Sequence, residues 1–135
     1  MARITGGCLC GAVRYTAEAD PTSVTVCHCL DCQKFTGSAF AALVPVPKET
    51  LTIEGKLKTF SSPGGSGNPL LRHFCPECGS SMAEESATRP GTMILNVGTF
   101  DDPAATTPRR EIFRDRAWPW LHLQGDIPRF AKGPA

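Results

Sequence analysis

The stretch VCHCLDCQKFTGSAF, residues 26–40, places Cys27, Cys29 and Cys32 within six positions. Three is an awkward number. A closed structural zinc site takes four ligands, and disulfides take pairs. The segment also reads as the one helix of the chain. LDCQKFTG has a helical composition, with Asp31 as the expected cap and Gly37 as a left-handed C′ residue that ends it. Everything around it reads as strand and turn.

The other four cysteines form two pairs, Cys8–Cys10 in CLC and Cys75–Cys78 in CPEC. Residues i and i+2 of a strand point to one face, so C-x-C can present two sulfurs to one metal ion. C-x-x-C does the same around a tight turn. In CPECG, Pro76 stiffens that turn and Gly79 supplies a positive φ. The two pairs together make a four-thiolate set, Cys8, Cys10, Cys75 and Cys78. Cys27, Cys29 and Cys32 can then wrap a second zinc and leave a coordination position open, as catalytic zinc sites do. A zinc ribbon of Cys29 and Cys32 with Cys75 and Cys78 also fits the spacings. The first division orphans no cysteine.

Composition bounds the rest. The chain has 135 residues, 41% hydrophobic and 20% charged, with a net charge of +1. That suits a single domain over 1–135 with a buried core. The balanced charge and the absence of a basic stripe argue against nucleic acid. The longest apolar runs are too short for a membrane span, and MARITGGCLCGAVRY lacks the h-region of a signal peptide. A cytoplasmic location is expected, where thiols stay reduced and clustered cysteines bind metal. The cysteine count is 7, so a full disulfide framework would leave one over.

Glycine (13) and proline (12) are spread along the chain, as short strands joined by turns require. Val13, Tyr15 and Ala17 alternate in AVRYTA; Leu51 and Ile53 do so in ETLTIEGKLKTF. FAALVPV, LLRHF, TMILNV and EIFR supply further strands. The expected class is mainly β, with small packed sheets or a partly open barrel and at most one or two short helices. SSPGGSGNP, residues 61–69, predicts a structureless hairpin tip or a flap over a site, and residues 130–135 predict a frayed tail.

These motifs resemble the glutathione-dependent formaldehyde-activating enzyme family. The resemblance rests on GGCLCGAVRY at 6–15, CHCLDCQKFTGSAF at 27–40, FSSPG at 60–64, RHFCPECGSSM at 72–82 and IFRDRAWPW at 112–120. It implies a β-tent fold and two zinc ions per chain. It assigns Cys8, Cys10, Cys75 and Cys78 to the structural ion, and Cys27, Cys29 and Cys32 to the ion at the site of chemistry. It also implies a carbon–sulfur lyase reaction between glutathione and formaldehyde that gives S-hydroxymethylglutathione. The alternatives are a glutathione-binding carrier and a zinc-stabilised interaction module.

The residues themselves favour thiol chemistry. Three thiolates overcompensate Zn²⁺, which suits a further soft sulfur better than water. An incoming thiol would ionise and act as the nucleophile. Lys34, Arg72, Arg114 and Arg116 are the candidate cations to balance the added charge, and surface exposure is the simpler expectation for each. His28, between two ligands, is expected to point away from the metal and to serve in packing or support. His73 and His122 read as ordinary strand or surface residues. Trp118 and Trp120 are expected to close the core or cover a sheet edge, with a wall of the substrate pocket as the functional alternative.

Overall fold

The computed structural model describes residues 1–64 and 67–133. Among the described residues, ten strands form two sheets with one α-helix. The small sheet has the order β1-β2-β5, from Ala2–Gly7, Arg14–Ala19 and Thr52–Glu54. The large sheet has the order β10-β3-β4-β9-β8-β7-β6. Its strands are β3 (Val24–Cys27), β4 (Ala41–Pro47), β6 (Lys58–Pro63), β7 (Pro69–Phe74), β8 (Ser81–Ser86), β9 (Thr92–Asn96) and β10 (Pro108–Ile112). The helix α1 is Leu30–Thr36. The mainly β class is thus as expected. Among the described residues, no helix is long and apolar enough to cross a membrane.

One pair in the large sheet, β10 with β3, is parallel. A parallel neighbour needs a long connection, and the chain supplies one by running through β4 to β9 first. The outer side of β10 is covered by the C-terminal segment. Glu111 donates its N–H to the Pro128 carbonyl at 3.0 Å, and Phe130 donates to the Glu111 carbonyl at 2.9 Å. This blunts an exposed sheet edge. The same segment continues hydrogen-bonded, with Phe113 donating to the Lys132 carbonyl at 2.8 Å and Asp115 to that of Ala131 at 3.1 Å. The tail expected to fray from 130 is therefore tied down through Lys132; residues 134–135 lie outside the described residues.

Residues directly opposed across a ladder share a face, which divides the large sheet cleanly. One face carries Val24, Val26, Val44, Val46, Met93, Leu95 and Ala83, which pack with Val13, Tyr15, Ala17 and Ala19 into the main core. The alternation of Val13, Tyr15 and Ala17 reads through directly, since all three are buried. The opposite face carries Cys27, Ala41 and Leu43, and then Asn96, Ile94, Glu84, Arg72 and Phe60 on successive strands. Helix α1 lies on this second face. Cys32 packs with Cys27, Ala41 and Leu43, and the Arg72 guanidinium sits 5.8 Å from the centre of the Phe35 ring.

Three local expectations are corrected. Asp31 does not cap α1: the N-cap is Cys29, whose sulfur accepts the Cys32 N–H at 3.2 Å. Gly37 does end the helix in the left-handed region, with φ 69°. The segment 61–69 is the tip of the β6–β7 hairpin, as expected, but its two ends are regular: Ser61, Ser62 and Pro63 pair in the ladder, and Pro63 directly opposes Pro69. Proline is tolerated there, at the last residue of an edge strand and the first of its partner. Residues 65 and 66 of the expected tip lie outside the described residues. EIFR is strand only to Ile112, since Phe113 takes a φ of 53° and breaks the run.

Candidate functional site

The seven cysteines are all free thiols, and the fold gathers them into two groups. Cys8, Cys10, Cys75 and Cys78 bring their sulfurs within 4.8 Å of one another, and so do Cys27, Cys29 and Cys32. The ribbon-like alternative, which would mix the 27–32 and 75–78 groups, is not what the fold assembles.

The four-cysteine group sits where β1 and β7 end, and so joins the two sheets. Cys8 and Cys10 lie in a turn rather than a strand. The Gly11 N–H donates to the Cys8 carbonyl at 3.2 Å, and the Val13 N–H donates to the Cys8 sulfur at 3.2 Å. The i, i+2 strand argument therefore does not apply, and the turn itself brings the two sulfurs to 3.6 Å. Cys75 and Cys78 occupy the expected tight turn. The Gly79 N–H donates to the Cys75 carbonyl at 2.9 Å, and Gly79 has φ 77°. Cys10 and Cys75 sulfurs are 3.9 Å apart. Tetrahedral zinc with bonds of ~2.3 Å sets its sulfurs ~3.8 Å apart. A disulfide needs ~2.05 Å. The spacing therefore fits zinc and not oxidation.

Ser80, which the sequence did not single out, stitches this group together. Its hydroxyl accepts the Leu9 N–H at 3.0 Å and lies 3.2 Å from the Cys78 sulfur. That contact, first among several, lowers the Cys78 thiol to about 5. A thiol ionised near neutral pH is ready to bind a cation.

The three-cysteine group forms at a strand-to-helix junction. Cys27 is the last residue of β3, Cys29 caps α1, and Cys32 lies in its first turn. The negative charge concentrates on Cys29, which is lowered to about 2. The Cys27 and Cys32 thiols hydrogen-bond to it, burial opposes them, and the charge of Arg72 adds to the lowering. Cys27 is correspondingly pushed up to about 12 by its bond to Cys29, and Cys32 is pushed upward by its two neighbours. A donor set of three soft sulfurs around one ionised member is suited to zinc. Both groups could hold a zinc ion.

Around this junction the buried polar residues have separate tasks. His28 is fully buried and turned away from the sulfurs, with Nε2 2.7 Å from Glu111 Oε1. The Arg129 guanidinium donates to the other Glu111 oxygen. Burial raises the Glu111 carboxyl, but these two partners hold it below its ordinary value. The backbone of His28 is pinned as well: its N–H donates to the Ile112 carbonyl at 3.1 Å, and its carbonyl accepts from Gln33 Nε2 at 2.8 Å. The peptide between Cys27 and Cys29 is thereby fixed.

Of the four candidate cations, the fold brings Arg72 to the cluster. Its side chain is 7% exposed and stands 3.8 Å from Glu84 and 4.0 Å from Asp31. The Glu84 carboxyl is raised by burial, partly relieved by Arg72 and further raised by the charge on Cys29. Arg114 lies 3.5 Å from Glu111, while Lys34 and Arg116 are exposed. Trp118 belongs to neither core cluster; its indole N–H donates to Gln33 Oε1 at 3.0 Å beside α1. It lines a groove of about 260 Å³ with Leu30, Gln33 and Lys34. Trp120 is 71% exposed. His73 is a buried strand residue between Thr59 and Glu85, at 2.8 Å from each, and His122 is exposed. Glu84, Glu111 and Gln33 carried no signal in the sequence, because their roles arise from strands and turns far apart in the chain.

No curated protein matches the chain. Among solved structures, a Rhodobacter sphaeroides protein is similar over 93% of this chain and 99% of its own, with a TM-score of 0.59 and 19% identity. A likeness at that identity shows the fold. The sequence is more specific: the model of the glutathione-dependent formaldehyde-activating enzyme family matches residues 3–116, a span that holds all seven cysteines, Arg72 and Glu84. The chain belongs to the glutathione-dependent formaldehyde-activating enzyme family.

Proposed function

We propose that the protein, acting as one domain, joins glutathione to formaldehyde to give S-hydroxymethylglutathione, and catalyses the reverse cleavage of the carbon–sulfur bond. Cys8, Cys10, Cys75 and Cys78 would hold a structural zinc. Cys27, Cys29 and Cys32 would hold the zinc at which the chemistry occurs. Bound to three thiolates, zinc would accept the substrate sulfur as a further ligand and favour its ionised form.

The chain's own residues supply the rest. Arg72 places a buried positive charge beside Cys29 and offsets the negative charge that a further sulfur brings. His28, Glu111 and Gln33 hold the 27–29 backbone in place and cost no reorganisation when substrate arrives. The substrate thiolate attacks the formaldehyde carbon, forming the carbon–sulfur bond as the carbonyl π pair moves to oxygen. That oxygen takes a proton to become the hydroxymethyl group. No oxidant or reductant is consumed. The partners are therefore a small thiol and a small aldehyde, in keeping with a net charge of +1 and no basic stripe.

The observation that carries this reading is the count of ligands at the junction. Three sulfurs converge, and among the described residues no fourth His, Cys, Asp or Glu joins them. The test is the rate of S-hydroxymethylglutathione formation, followed by NMR, with zinc-loaded wild type and Cys29→Ser. Acceleration by wild type and loss of it in the variant are expected. Equal rates would end the proposal.

A further inference from the structure

We propose that Arg129, in the segment that covers β10, is a positioning residue for the three-cysteine cluster. It fixes Glu111, Glu111 fixes His28, and His28 holds the peptide between Cys27 and Cys29. This rests on the zinc reading above and adds to it a residue outside the span 3–116 that the family model matches. The relay is buried and has few members. His28 and Glu111 are both 0% exposed, and His28 Nε2 lies 2.7 Å from Glu111 Oε1. Among the described residues, His28 Nδ1 has no hydrogen-bond partner. The polar hold on the ring is therefore the single bond to Glu111, and the imidazole goes where that carboxylate is aimed.

The C-terminal segment does the aiming. Arg129 Nε donates to Glu111 Oε2, the oxygen that His28 does not use. The same guanidinium donates to the carbonyls of Leu123 at 3.0 Å, Gly125 at 2.9 Å and Ile127 at 3.3 Å. Only arginine offers a planar fork with enough fixed donors for such a junction. The backbone around it is clamped to β10, since Pro128 and Phe130 bond the Glu111 N–H and carbonyl. Covering the sheet edge needs no more than those backbone bonds, so the reach of the side chain to a buried carboxylate calls for a reason of its own. Arg114 stands 3.5 Å from Oε1, on the side that His28 already occupies, and leaves Oε2 to Arg129.

The effect reaches the sulfurs through one residue. Cys27 and Cys29 flank His28 directly, and the His28 N–H and carbonyl are bonded to Ile112 and Gln33. The Cys29 sulfur accepts the Cys32 N–H at 3.2 Å, so a shift at 27–29 carries to the third sulfur. Groups that orient metal ligands are typically worth about 10- to 100-fold in metal affinity. The four-cysteine group is held by other means, through Val13, Gly79 and Ser80. Loosening Arg129 should therefore weaken one cysteine group and spare the other.

The test compares zinc-loaded wild type with Arg129→Leu and with the double variant Glu111→Gln/Arg129→Leu. The double variant keeps an acceptor for His28 and leaves no buried carboxylate short of a partner, so it separates lost aim from an uncompensated charge. One readout is zinc release to a chromophoric chelator; the other is exchange of the His28 and Gly79 amides, followed by NMR. In both variants one of the two zinc ions should leave about 10-fold faster and the other at the wild-type rate. The His28 amide should exchange about 10-fold faster, with the Gly79 amide unchanged. Wild-type rates in both folded variants would overturn the proposal. So would equal acceleration of both ions and both amides, which is what a generally stabilising arginine would give. A single zinc in wild type would remove the two-zinc reading, while the amide comparison would still decide the role of Arg129.

Discussion

Arg72 occupies a buried position that a solvated surface arginine would not take. Its charge is shared among Glu84, Asp31, the Phe35 ring and the field of Cys29. If it offsets the charge of an added sulfur, Arg72→Gln should lower kcat/KM for glutathione by about 10- to 100-fold. The loss of a cation makes the substrate thiol harder to ionise, so the acid limb of the pH–rate profile should move to higher pH. A purely structural arginine would change stability and leave that limb in place. Little of this was visible beforehand. Arg72 was one of four candidate cations, and only the ladder Ile94–Glu84–Arg72–Phe60 separates it from the rest. His28 was legible in outcome, since it does turn from the cysteine sulfurs, and its bond to Glu111 across 83 residues holds it there.

Helix α1 shows how far local signals reach. Its extent and its glycine stop follow from residues 30–37 alone. Its cap does not, because the sulfur of Cys29 takes the place that Asp31 would hold in an ordinary helix, and Asp31 is left 64% exposed. A Cβ at Gly37 would meet nothing within 4 Å, so substitution tests the backbone alone. Gly37→Ala should cost roughly 1 kcal/mol, the penalty of left-handed geometry for an L-residue, measured by urea denaturation. A neutral effect would mean that α1 is not ended this way. The 61–69 hairpin misled in the opposite direction. Its glycines and prolines read as irregular, yet Ser61 and Ser62 pair with Leu71 and Leu70 in the ladder.

At the scale of the molecule, the two cysteine groups differ in which elements they join. The four-cysteine group links the end of β1 in the small sheet to the end of β7 in the large one. The three-cysteine group connects one strand to one short helix on a single face. Structural zinc contributes roughly 10 kcal/mol or more to small zinc domains. Cys10→Ser and Cys78→Ser should therefore lower the melting temperature severely, whereas Cys27→Ser should leave a folded protein with impaired chemistry. The opposite ranking in thermal melts would reverse the roles. The three motifs were legible because each is local; their grouping joins residues 65 apart in the chain, and the division that orphans no cysteine pointed to it. The parallel pairing of β10 with β3 was not legible, since it depends on where a connection of some eighty residues ends.

The central claim is that three sulfurs at 27–32 hold a second ion apart from the one that staples the sheets. Zinc per folded chain, measured by atomic emission in wild type and in Cys29→Ser after loading and desalting, tests it directly. The account predicts two ions in wild type and one in the folded variant; one ion in wild type, or two in Cys29→Ser, would contradict it.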